Sequence, residues 1–420
     1  MTTAGRPLRG ITWDHPRGYA ALAELQRLDE HAVTRYGAVP APLTWDRQPL
    51  AGFESEPIVG LARRYDVLVV DHPGIGAARA ALRPLDEVFT AAELAAWEAA
   101  AVGSSFGSYR YAGRQWALPV DAAAQICVTR PDRTRGRPAP RTWQEVAGLG
   151  RDMPVALVLG GPHALLTVLA ICVAQGAPPV TEAGDGTPAG VFAGDAATRD
   201  AALAALELLA DLCAHVDLKL ASGNPVDVLE AMAADDAAAC CPLVFGYATY
   251  SAPGRRPCPL AAHDAPSWQS TGRPGSVLGG AGAAISRRVG DDDIEAARAH
   301  LRRLLAEPVQ AELVPRAGGQ PALRAAWQSA AVNAACGSFY QQTLATLEEA
   351  WVRPRYPGWI AFQQEGSAVV REGLRSRVPP RVILGQLQSV FRARCLAAEA
   401  AGVTRLGDRE VTSWTNNPAT

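Results

Sequence analysis

Lysine is almost absent from this chain. Of its 40 basic residues only Lys219 is a lysine. Alanine, glycine and proline are abundant, which is the residue usage of a GC-rich genome, so no arginine-specific role is read from the imbalance. Net charge is also scarce, at -2. No global field therefore draws the chain to nucleic acid or to an anionic membrane, and neither partner is expected. Long apolar runs are missing as well. The one over residues 157–173 is interrupted by Gly160-Gly161-Pro162-His163, which suits strand, turn and helix better than a membrane span. Residues 1–7 carry no apolar leader and run straight into a strand pattern, so a cytoplasmic location is expected, or an extracytoplasmic one if a leader was removed.

Several chemical signatures are missing too. The eight cysteines are dispersed and form no CxxC, which points to free buried thiols and excludes a structural zinc. Gly160-Gly161 lacks the Lys-Ser/Thr of an NTPase phosphate loop. Gly280-Ala281-Gly282 lacks the third glycine and the following helix of a dinucleotide fingerprint. No serine or cysteine sits in a recognisable nucleophile turn. Neither a cofactor nor a metal is expected.

What is present begins with two strand ends that rhyme. Residues 8–13 run into Asp14-His15-Pro16, and residues 65–70 run into Asp71-His72-Pro73. Between them the periodicity predicts a helix over 18–36, with Leu22, Leu25 and Leu28 inward, a short strand at 43–45 and a helix over 53–64. This is β-α-β-α-β, the mark of a parallel sheet. Both Asp-His pairs then reach the carboxyl edge, where open α/β sheets bind ligands. Strands follow at 109–111, 115–118, 125–129 and 154–159. Thr142 with Glu145 reads as a capping box. Helices are expected over 162–175, from Asp195 to His215, and over 224–234, with a loop at 176–190. Strands at 237–245 and 277–286 flank an irregular proline-rich stretch. From 291 to about 401 the chain reads as mainly helical, and residues 402–420 as a tail.

In order along the chain, five stretches resemble one known family: Gly10-Ile11-Thr12-Trp13, Tyr65-Asp66-Val67-Leu68, Trp116-Ala117-Leu118-Pro119, Gly279-Gly280 to Ile285-Ser286, and Arg353-Pro354-Arg355-Tyr356-Pro357. They resemble the extracellular solute-binding proteins of ABC importers, in the carbohydrate-binding family-1 branch. The resemblance implies a two-lobe, periplasmic-binding-protein-like α/β fold of type II, with hinge strands and a cleft between the lobes. It implies a first lobe from residues 1–120 plus about 245–320, and a second from 121–244 plus about 321–401. It also implies a small-molecule ligand, a monomer, and an ABC permease as partner if the chain is exported.

The residues that carry chemistry gather around that cleft. Asp14, His15, Asp71 and His72 are the candidates for ligand contact. On an alternative reading, a cytoplasmic enzyme on the same scaffold, they are a general acid/base set, with Asp14 facing His72 across the strands. Trp13, Tyr247, Trp268 and Trp359, with Tyr250, are candidate aromatic platforms for a sugar face. Asp121 after the crossover is placed to bond hydroxyl groups. Gly160, Gly161 and His163 open a helix whose free N–H groups suit an anion. Gly280 on the late strand and Arg316, with Gln320, Arg353 and Arg355, complete the candidates.

Overall fold

The computed structural model describes residues 6–182, 188–234 and 237–398. The main sheet is built from β1 (Leu8–Trp13), β2 (Leu43–Gln48), β3 (Val67–Val70), β4 (Leu118–Thr129), β5 (Cys240–Phe245), β6 (Ala261–His263) and β7 (Leu278–Ile285). β1 pairs in parallel with β2 on one side and β3 on the other. β3 is four buried aliphatic residues, the continuous apolar run of a strand covered on both faces. Gly10 lies opposite Val67, so Asp14 and Asp71 leave the sheet at the same edge.

The helix after β1, α1 (Pro16–Glu30), buries Leu22, Leu25 and Leu28 as their spacing predicts. It stops short of Tyr36 because Ala32 takes a left-handed φ of 52°, and the N–H groups of Ala32 and Val33 turn back to Asp29 and Leu28. That is a Schellman-type ending. The single helix expected over 53–64 is two, α2 (Leu50–Ser55) and α3 (Ile58–Ala62). Pro57 between them has no N–H to donate and holds Glu56 extended. The strand expected at 154–159 is only an isolated bridge from Val155 to Cys240. The loop expected at 176–190 contains the short paired strands Val180–Glu182 and Pro188–Val191. The tail expected from 402 lies outside the described residues.

β4 organises the two lobes. Its first half pairs antiparallel with β7, from Leu118 opposite Ala283 to Ala124 opposite Leu278. β7 in turn pairs with β3. Its second half pairs with β5 and β6. One strand thus joins the two halves of the sheet. At the changeover Gly280 has φ +98°, and a Cβ there would lie 2.5 Å from the Asp121 carbonyl oxygen. Glycine is required at that point both for its backbone and for the close approach. Gln320 ties the same region, donating to the Ala122 carbonyl and accepting from the Ala248 N–H.

One core gathers Leu8, Trp13, Leu22, Val67, Leu118 and Ile285 under the β1–β3 half of the sheet. A second gathers α4 (His163–Ala174), α5 (Ala196–Cys213), α6 (Trp359–Arg375) and α7 (Pro380–Phe391). α4 is buried nearly all round, which its uninterrupted apolar sequence requires. Thr142 and Asp195 cap helices as read from the sequence, and Thr142 forms the full capping box with Glu145. All eight cysteines are free. No helix among the described residues is long and apolar enough to cross a membrane.

Candidate functional site

At the carboxyl edge of β1 and β3 lies a narrow cavity of about 60 Å³. Trp13 ends β1 and forms one wall. Its indole lies where a Cβ at Gly18 would overlap it, and it packs on Phe53 of α2 at 4.8 Å. Tyr247 and Phe245, at and just beyond the end of β5, form the facing aromatic wall.

Two arginine–carboxylate pairs line the cavity. Arg17 comes from the first turn of α1 and grips Asp121 of β4 with both arms of its guanidinium, Nε at 2.8 Å from Oδ2 and Nη2 against Oδ1. Its third nitrogen donates to the Gly246 carbonyl at 3.1 Å, and the group lies 4.7 Å over the Tyr247 ring. Burial disfavours the Arg17 charge, but Asp121 outweighs it and raises the guanidinium pKa further. Arg353 donates to both oxygens of Asp71 at 2.8 Å. It also donates to the Leu278 carbonyl and to Gln363 Oε1, each at 3.2 Å. Burial pushes the Asp71 carboxyl up, while Arg353 and His72 pull harder and hold it at about 2. A third inter-element contact sets Glu54 of α2 3.5 Å from His163 Nε2 at the start of α4.

Of the residues read from the sequence, Trp13, Asp71, Asp121, His163, Tyr247, Gly280 and Arg353 line this cavity. Gly160 and Gly161 form the turn below it. That turn is tied inward: the Gly160 N–H donates to the Gly223 carbonyl, and Arg371 donates to the carbonyls of Leu159 and Gly161. His15 caps α1, its Nδ1 accepting the Arg17 N–H, and stands edge-on to Tyr247 at 4.8 Å. Burial, with Arg17 close by, lowers the His15 pKa to about 4.

The expected pairing of Asp14 with His72 does not form. Asp14 is exposed and turns to Arg47 at 3.6 Å. His72 is wholly buried beside its own neighbour, Nδ1 3.3 Å from Asp71 Oδ1, and burial with Arg353 lowers it to about 4. Adjacent residues leave opposite faces of an extended chain, but β3 ends at Val70 and a 3₁₀ turn begins at His72, which brings Asp71 and His72 together. Trp359 is buried in the core of α4, α6 and α7. Trp268 packs on the outside of that core. Tyr250 donates to Glu230. Arg316 lines a separate hollow beside Tyr340.

Sequence reasoning passed over Arg17, Phe53, Glu54 and Gln363. Arg17 had a signal: it follows Asp-His-Pro directly, at the head of a helix leaving the sheet edge. Gln363 had none, since its place depends on a helix nearly 300 residues later folding back on β3. Among the described residues no three His, Cys, Asp or Glu side chains converge as a metal site requires.

By sequence, no protein-family profile and no curated protein matches the chain. By structure it is similar to maltose-bound MalE3 of T. maritima, with a TM-score of 0.76 at 16% identity over 92% of this chain and 99% of that one. It is similar to an ABC-transporter solute-binding protein of Agrobacterium radiobacter in complex with ribitol, at TM-score 0.73 and 19% identity, over 93% and 98% of the two chains. The GacH receptor of Streptomyces glaucescens, solved unliganded and with acarbose, gives 0.70 at 14% identity over 93% and 98%. These likenesses establish the two-lobe α/β fold of solute-binding proteins.

Proposed function

We propose that this chain binds a small, neutral, polyhydroxylated solute, a sugar or polyol, between its lobes. The observation that carries the reading is the cavity itself: aromatic walls at Trp13 and Tyr247, with the Arg17–Asp121 and Arg353–Asp71 pairs lining it. Aromatic faces suit the C–H faces of a sugar ring. Each paired carboxylate keeps lone pairs for hydroxyl donors, and the arginines hold it in place beforehand. Two arginines face three carboxylates here, so neither a strong anion nor a strong cation is favoured. The ligands of the similar structures, maltose, ribitol and acarbose, are of this class.

A cavity of about 60 Å³ has room for only a few waters. It is far below the ~300–1,000 Å³ of typical small-molecule sites. A sugar therefore enters only when the lobes part, and closure around it follows. The partner on this reading is an ABC permease, as for the solute-binding proteins it resembles. Of the acid/base alternative, the Asp14–His72 pairing does not form, while Asp71 and His72 lie 3.3 Å apart, and conversion of a bound ligand is the result that would favour it.

Isothermal titration calorimetry against maltose, ribitol, mannitol and glucose tests the proposal, with mass spectrometry of the recovered ligand. Saturable binding at one site per chain, lost in Trp13→Ala and with the ligand returned unchanged, is expected. Binding that survives Trp13→Ala unaltered removes the cleft from consideration. Conversion of the ligand makes the chain an enzyme.

A further inference from the structure

Beside the cleft lies a second and larger cavity of about 390 Å³. It sits between α2, α3 and the turn after β3 on one side and the start of α6 on the other. Its lining is mostly apolar, with Ile58, Leu61, Ala78 and Ile360 among it. It shares Phe53, Glu54 and Asp71 with the cleft, so the two spaces adjoin along these three residues.

Two residues of this lining carry buried polar atoms without a partner. Gln48, the last residue of β2, is 7% exposed, and neither its amide oxygen nor its amide nitrogen is hydrogen-bonded. Trp359 is 0% exposed, and its Nε1 is likewise unpaired. Such groups are uncommon in native interiors, and these two residues face the same space, where a guest can supply the partner. An apolar space with an unused acceptor and unused donors matches a neutral apolar group that itself bears a hydrogen-bonding atom.

We propose that the natural ligand is a conjugate: a sugar or polyol head in the cleft, joined to a neutral aryl or alkyl group that occupies the apolar chamber and bonds Gln48. This rests on the cleft being the head-group site, as proposed above. It goes further by assigning the ligand an aglycone.

The test is calorimetry with matched probes: glucose, phenyl glucoside, 4-nitrophenyl glucoside, and 4-nitrophenol alone, with maltose and 4-nitrophenyl maltoside as a second series. The glycosides are expected to bind about 10- to 100-fold tighter than their parent sugars, the return for burying a phenyl-sized group. In Ala361→Trp, which places a bulky ring at an exposed residue of the chamber lining, the ratio of glycoside to parent affinity should fall toward one. In Gln48→Leu the preference for 4-nitrophenyl over phenyl should disappear. Parent sugars that bind with no gain from the aglycone overturn the chamber and leave the cleft standing. 4-Nitrophenol binding that Ala361→Trp abolishes, without any sugar binding, supports the chamber and overturns the cleft reading. Glycoside gains that persist in both variants place the aglycone elsewhere and overturn the proposal.

Discussion

Asp71→Asn removes a charge that the fold has taken trouble to keep. Arg353 holds the Asp71 carboxyl at about 2, against an ordinary value of 3.8. The unfolded chain therefore takes up this proton first as pH falls, and the native state is favoured wherever the carboxylate is charged. The gap of about two pH units corresponds to ~2–3 kcal/mol. That contribution is complete above about pH 4 and is lost as pH drops through 2. At about pH 3, between the two values, roughly half of it remains. Arg353 keeps the Leu278 carbonyl and Gln363 when Asp71 is neutralised, so the full penalty of an orphaned buried charge is not added. Urea unfolding of both proteins near pH 7, 5 and 3 measures this. The expected gap is ~2–3 kcal/mol at the first two and about half that at the third. A gap that is constant with pH, or absent at pH 7, refutes the assignment of this carboxylate as the stabilising partner of Arg353.

The contrasting pair gives a larger effect. Asp121→Asn leaves Arg17 with only the Gly246 carbonyl and the Tyr247 face, and should cost about 3–5 kcal/mol in the same urea experiment as well as ligand binding. Gly18→Ala puts a methyl into the Trp13 indole, so tryptophan emission should shift and sugar affinity should fall about tenfold or more, with the secondary structure seen by circular dichroism unchanged. His72, lowered to about 4 by burial, protonates in the unfolded chain before the folded one. Its imidazole NMR signals should therefore stay neutral down to about pH 4, and stability should decline as pH falls from 6.5 toward 4, unless His72 is replaced. Thr142→Ala removes one half of a capping box and should cost about 1 kcal/mol, leaving ligand affinity untouched.

The parallel core of the first lobe was legible because β3 is an unbroken aliphatic run and the Asp-His-Pro ends mark where β1 and β3 leave the sheet. Caps at Thr142 and Asp195 were legible for the same local reason. Helix ends were less so: Ala32 stops α1 in a left-handed turn that is ordinarily glycine's, and nothing in its identity announces it. The strand expected at 154–159 has the right side chains, but only Val155 forms a bridge to a strand, and Leu159 turns instead to the Ala221 carbonyl. The site divided along similar lines. Trp13, Asp71 and Asp121 follow from position at strand ends and crossover. Trp359 looked equally promising as an aromatic, yet it lies in the packing of α4, α6 and α7, which only tertiary structure reveals. Gln48 and Gln363 acquire their meaning from segments hundreds of residues away.

The strand shared by the two halves of the sheet has a mechanical consequence. Paired strands resist stretching and sliding, because either would break their hydrogen bonds in register, and they yield most readily to bending. β4 and β7 are therefore placed to serve as an axle for any turning of one lobe against the other, with each lobe as a lever arm. Asp121 sits on the axle itself. On the proposed reading, a ligand held there would exert its grip where displacement is smallest, while the outer rims of the two lobes would sweep the greatest arc. Whatever surface senses an occupied cleft will have its clearest signal at those rims, as far from the ligand as the molecule allows.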